Sequence, residues 1–165
     1  MIEIKNLDKS YGTKKVLENL NCTIKTGSIY GLIGANGAGK STLLRIIMGI
    51  FEKDSGSIKI DGEELEDNEK IMQKLVYVPD DLFFFKNYTI KDMAIFYSKL
   101  YPKFDMNFAM KFTEKLKLNP KQKIQTFSKG MKRQCALLCA IACNTKYLFF
   151  DETFDVYWRT SAISS

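Results

Sequence analysis

The chain has 165 residues, enough for one substantial domain and too few to require a second. Hydrophobic residues at 45% and charged residues at 27% exclude a disordered chain, and the longest apolar run, Cys135 to Cys143, falls well short of the ~18 residues of a membrane span. The net charge of +6 is spread over scattered lysines with no basic stripe interleaved with aromatics, which argues against a nucleic-acid partner.

The opening "MIEIKNLDKSYG" has polar residues where a signal peptide needs an apolar block, so a cytosolic setting is expected. Its alternation predicts a strand, and "NLNCTIKTG" predicts a second. "GSIYGLIG" reads as a nearly continuous apolar strand ending at Gly34. A helix is expected from Gly39 to Ile50, with Leu43, Leu44, Ile46, Ile47 and Ile50 on its buried side. "GSIKIDG" is a short strand closed by the turn pair Asp61-Gly62, and "KLVYVP" is another, stopped by Pro79.

From residue 88 to 118 the apolar spacing becomes helical, with Thr89 and Asp105 as N-caps. Ser128 opens a further helix, along which Cys135, Cys139 and Cys143 recur every fourth residue. The first and last of these thiols lie ~12 Å apart on a helix, too far to share one metal ion. A core-facing stripe is therefore expected. "KYLFFDE" is a buried strand ending in two carboxylates. The layout is α/β: one domain over residues 1–155, with a helical insert at about 82–135 between a glycine-rich half and a strand–acid half.

Gly34, Gly39, Lys40 and Ser41 satisfy the spacing G-x-x-x-x-G-K-[ST], with a strand expected before and a helix after. A loop poor in side chains (Gly34, Asn36, Gly37, Ala38, Gly39) lets successive backbone N–H groups converge on phosphate oxygens, and the helix adds its positive end. Lys40 supplies a point charge to the β- and γ-phosphates, and the Ser41 hydroxyl, followed by Thr42, is a ligand for Mg²⁺. Asp151, at the end of "YLFF", is placed to hold Mg²⁺ directly or through water. Glu152 is placed to polarise a water attacking the γ-phosphate.

Together these residues resemble the ATP-binding cassette (ABC) ATPases. "GANGAGKST" resembles the family's Walker A motif and "YLFFDE" its Walker B. "FSKGM", Phe127 to Met131, resembles the L-S-G-G-Q signature, with Lys129 for a glycine and Met131 for a glutamine. Tyr11 resembles the aromatic residue that stacks on adenine. The resemblance implies a P-loop NTPase core with an N-terminal antiparallel β-subdomain. It also implies a head-to-tail dimer of like or unlike ATP-binding subunits, in which Ser128 and Gly130 face the γ-phosphate bound by the partner. A transmembrane subunit would be energised by ATP hydrolysis, with the chain peripheral on the inner face of the membrane.

Several departures from the family pattern follow. Asp80 stands where a glutamine usually senses Mg²⁺; its acidic oxygen is expected to approach the metal, but a carboxylate cannot donate a hydrogen bond as an amide does. Phe83, Phe84, Phe85 and Tyr88 either line the groove for the membrane subunit or pack inside the helical insert. No histidine is present, so the switch histidine is lacking, as is the glycine-leucine continuation of the D-loop. Residues 156–165 do not match the family and read as a shifted frame or a spliced end. Ten residues cannot form the crossover to the strand that the family places between Walker A and Walker B. Unpaired strand edges and exposed apolar surface are therefore expected. Two functions are compatible with this pattern: an ATP-hydrolysing transporter subunit, or a nucleotide-binding module without turnover.

Overall fold

The computed structural model describes residues 1–151. Strand β1 (Ile2–Tyr11) pairs antiparallel with β2 (Lys14–Ile24) and, on its other edge, with β3 (Ser55–Ile60), which pairs with the short β4 (Glu63–Glu64). Alternation along β1 buries Ile2 and Ile4 opposite Ile60 and Ile58 of β3. Beyond Lys5 the β1–β3 register shifts, and the backbone of β3 crosses so close that a Cβ on Gly56 would lie 2.3 Å from the Asn6 carbonyl oxygen. Asp61 and Gly62, at φ 55° and 85°, close the β3–β4 hairpin as their sequence predicts.

Helix α1 (Lys40–Ile47) packs Leu43, Ile46 and Ile47 against this sheet, together with Leu17, Leu65, Ile71 and Leu75. Leu44 is only partly buried, and Ile50 is exposed instead of continuing the buried side, because the helix stops at Ile47 and Gly49 turns the chain at φ 66°. The one-turn helix α2 (Glu69–Met72), capped by the Asn68 side chain, leads into β5 (Leu75–Val78).

The helical part comprises α3 (Ile90–Leu100), α4 (Met106–Lys115) and α5 (Lys129–Ala142). Thr89 caps α3 in a reciprocal box with Asp92, and Asp105 caps α4, as predicted. Ile90, Met93, Ala109, Ile124, Cys135 and Cys139 form its core. Cys143 is buried as well, so all three recurring thiols face inward, and burial pushes the Cys143 thiol up to about 12. Helix α5 runs unbroken across the expected subdomain boundary. It starts in the helical core and ends under β6 (Tyr147–Phe150), which pairs parallel with β5 from Leu75↔Tyr147 to Val78↔Phe150. The two strands therefore have packing on both faces, although Leu148 of β6 stays 37% exposed. Phe149 faces the α1 core, whereas Val76, Val78 and Phe150 face α5.

The segment 28–34 differs from its sequence expectation. Apolar throughout its middle, it forms no strand, and Ile29 and Ile33 are 104% and 97% exposed. A strand exists only when neighbouring backbone supplies partners, and among the described residues none pairs with this segment. The expected exposure of apolar surface is thus present. Among the described residues no helix is long and apolar enough to cross a membrane.

Candidate phosphate and metal site

The glycine-rich loop is built against β2. Gly39 has φ 88°, and a Cβ there would lie 2.8 Å from Leu17 Cδ2 and 2.9 Å from the Val16 carbonyl oxygen, so only glycine fits. As N-cap of α1 it offers no side chain to the first turn, which leaves the helix's leading N–H groups open to a ligand. Asn36, Gly37 and Ala38 form the turn, closed by the Ala38 N–H donating to the Ala35 carbonyl at 3.1 Å. Lys40 folds back across it: its ammonium donates to the carbonyls of Gly34 at 2.8 Å and Ala35 at 2.9 Å. Thr42 follows, partly buried in the first turn.

The Ser41 hydroxyl donates to Asp151 Oδ1 at 2.8 Å, across 110 residues of sequence. Asp151 is 4% exposed, held at the end of β6 by its N–H donating to the Val78 carbonyl. Two of the three sequence-predicted metal residues, Ser41 and Asp151, are therefore adjacent, and the third, Asp80, is not with them. A hydroxyl and a carboxylate oxygen are hard donors that suit Mg²⁺, with nucleotide phosphates and water completing its shell.

The other carboxylate oxygen, Oδ2, accepts from the Tyr77 hydroxyl at 2.9 Å. Burial, then the Asp151 carboxylate, push the Tyr77 phenol above its ordinary value, while the neighbouring Arg45 opposes the shift. The phenol therefore stays protonated and donates. Sequence reasoning missed Tyr77 and Arg45. For Arg45 the signal was there, one helical turn beyond Ser41; for Tyr77 it was not, because its shared face with Phe149 and Asp151 depends on the register of β5 against β6.

Asp80 is not drawn into this pair. Its exposed carboxylate accepts from Arg133 of α5 at 3.0 Å. Tyr11 ends β1 half exposed, edge-on to Phe51 with centroids 6.3 Å apart, and the Lys9 ammonium lies over its ring. Ser128 caps α5, its hydroxyl oxygen accepting from the Met131 N–H at 3.2 Å. Among the described residues a Cβ on Gly130 would meet only that hydroxyl, at 4.0 Å, so none of them fills the space above it. Of the four aromatics after Asp81, Phe84, Phe85 and Tyr88 pack on the helical core and Phe83 is exposed. Glu152 lies outside the described residues.

Comparison with known proteins bears on the whole arrangement. The sequence model of the ABC transporter family matches residues 17–155, which take in the glycine-rich loop, "FSKGM" and Asp151. The chain belongs to the ABC transporter family. It is 35% identical to the ABC transporter ATP-binding protein YtrB of Bacillus subtilis over 155 residues, covering 94% of this chain and 53% of that protein. To the petrobactin import ATP-binding protein YclP of the same organism it is 34% identical, covering 94% of this chain and 65% of the relative. A solved ATP-binding subunit of an ABC transporter superposes with a TM-score of 0.83 at 28% identity, over 93% of this chain and 66% of that one. The chain thus spans about half to two thirds of the length of these relatives. The expected fold, a P-loop core with an antiparallel β-subdomain and helical insert, is the fold found.

Proposed function

We propose that this chain is the ATP-binding, ATP-hydrolysing part of an ABC transporter, acting on a separate transmembrane subunit from the cytoplasmic face of the membrane. The observation that carries the reading is the Ser41–Asp151 contact at 2.8 Å beside the glycine-rich loop and Lys40. The loop's N–H groups and the start of α1 bind the phosphate oxygens, and the Lys40 ammonium transfers from the Gly34 and Ala35 carbonyls to the β- and γ-phosphates. Ser41 and Asp151 would hold Mg²⁺, which would supply positive charge to the transferring phosphoryl group. Glu152 orients the water that attacks the γ-phosphorus, a role assigned from its place after Asp151. Tyr11 stacks on the adenine after Lys9 gives up the ring face it covers.

Ser128 and Gly130 have no phosphate-binding loop beside them in sequence, yet they present a helix start, a solvent-exposed hydroxyl that caps it and an uncrowded backbone. That set fits a γ-phosphate brought by a second ATP-binding subunit, which supports the head-to-tail dimer.

Lys40→Ala tests the reading. Loss of a charge-assisted contact worth about 1.5–3 kcal/mol should weaken Mg-ATP binding by about 10- to 100-fold in calorimetric titration. Affinity equal to the parent's would refute the assignment. Glu152→Gln should keep binding and abolish turnover.

A further inference from the structure

Both oxygens of Asp151 are engaged, but by different kinds of partner. Ser41 on Oδ1 is itself expected to turn its oxygen toward Mg²⁺, so it cannot be what fixes the carboxylate once nucleotide is bound. Tyr77 on Oδ2 comes from a different strand, is partly buried, and carries no role in the phosphate chemistry. The pairing of β5 with β6 sets it there: Tyr77 stands opposite Phe149, two residues before Asp151, so alternation turns Tyr77 and Asp151 to the same face of the sheet, the face covered by α1. On α1, Ser41 and Arg45 are four residues apart and project together. Arg45 lies beside the Tyr77 phenol and over the Phe51 ring, with 5.4 Å between guanidinium carbon and centroid. Helix α1 and strands β5 and β6 are thereby tied at one point.

We infer that Tyr77, backed by Arg45, is a positioning residue for Mg²⁺. Its hydroxyl holds Asp151 Oδ2 so that the opposite oxygen stays directed at Ser41 and the metal. A buried carboxylate without that donor has other rotamers and an unsatisfied oxygen. Partners of metal ligands orient those ligands, and their loss typically costs about 10- to 100-fold in metal affinity. The inference rests on the Mg-ATP reading above, and its test separates the two.

In the full chain, ATP affinity is measured by titration calorimetry in Mg²⁺ and again in EDTA, and the ratio is the gain due to the metal. Tyr77→Phe keeps the ring and removes the donor. The gain should fall about tenfold while affinity in EDTA is unchanged. Asp151→Asn should lose the gain, and adding Tyr77→Phe to it should lose nothing more. Arg45→Met should reduce the gain in the same direction by a smaller factor, and it decides the matter if Tyr77→Phe does not fold. An unchanged ratio in Tyr77→Phe, an equal fall in Mg²⁺ and EDTA, or additive losses with Asp151→Asn would each overturn the role of Tyr77. A parent protein that binds ATP but gains nothing from Mg²⁺ overturns the metal assignment itself and this inference with it.

Discussion

Ile90, Ile124 and Cys139 in the helical subdomain are wholly buried, whereas Ile29 and Ile33, equally apolar and beside the phosphate loop, stand open to solvent. The two regions differ in what their backbones need. Helices α3, α4 and α5 satisfy their own N–H and C=O groups and need only side-chain packing to form a core. The segment 28–34 has the apolar content of a buried parallel strand but depends on neighbouring strands for hydrogen bonds. Apolar sequence specifies burial only where the partner backbone is in place.

Four substitutions sharpen or break this contrast. Ile90→Ala should destabilise most, by about 2–5 kcal/mol in chemical denaturation, since it opens a cavity in a closed core. Next is the α3 cap. Thr89→Ala removes the hydroxyl that accepts from the Asp92 N–H, leaves the residue-89 N–H on the Asp92 carboxylate, and should cost about 1 kcal/mol at neutral pH. The same box has a pH signature. The Thr89 N–H and then its hydroxyl hold the Asp92 carboxyl below its ordinary value, so the contribution is complete above the unfolded value and fades as pH falls through the folded one. Asp92→Asn should therefore flatten the stability loss below about pH 4. Smallest is Ile33→Ser, expected within about 0.5 kcal/mol. A loss comparable to that of Ile90→Ala would break the comparison, because Ile33 would then be covered in solution.

Local and short-range features were legible in the sequence. The phosphate loop, the caps at Thr89, Asp105 and Ser128, the Asp61-Gly62 turn and the inward cysteines all follow from side-chain chemistry within a few residues. Even Ser41 and Asp151, 110 residues apart, were linked by their separate phosphate and metal chemistries. What escaped depends on register between distant elements. Tyr77 reaches Asp151 because β5 pairs with β6 in one particular alignment, and Asp80 turns to Arg133 because α5 passes beside the end of β5. Ile50 shows the complementary error: helical spacing continued past the point where Gly49 had already ended the helix.

The Lys40 ammonium, seated on two carbonyls of its own loop, gives that loop an internal counter-ligand. The loop's curvature then has its own support, so under the proposed function an anion would exchange one set of oxygens for another around a standing cation and would not have to organise a slack chain. Nucleotide capture should accordingly be quick, and its affinity should reflect the difference between carbonyl and phosphate as partners for lysine more than the entropy of closing the loop.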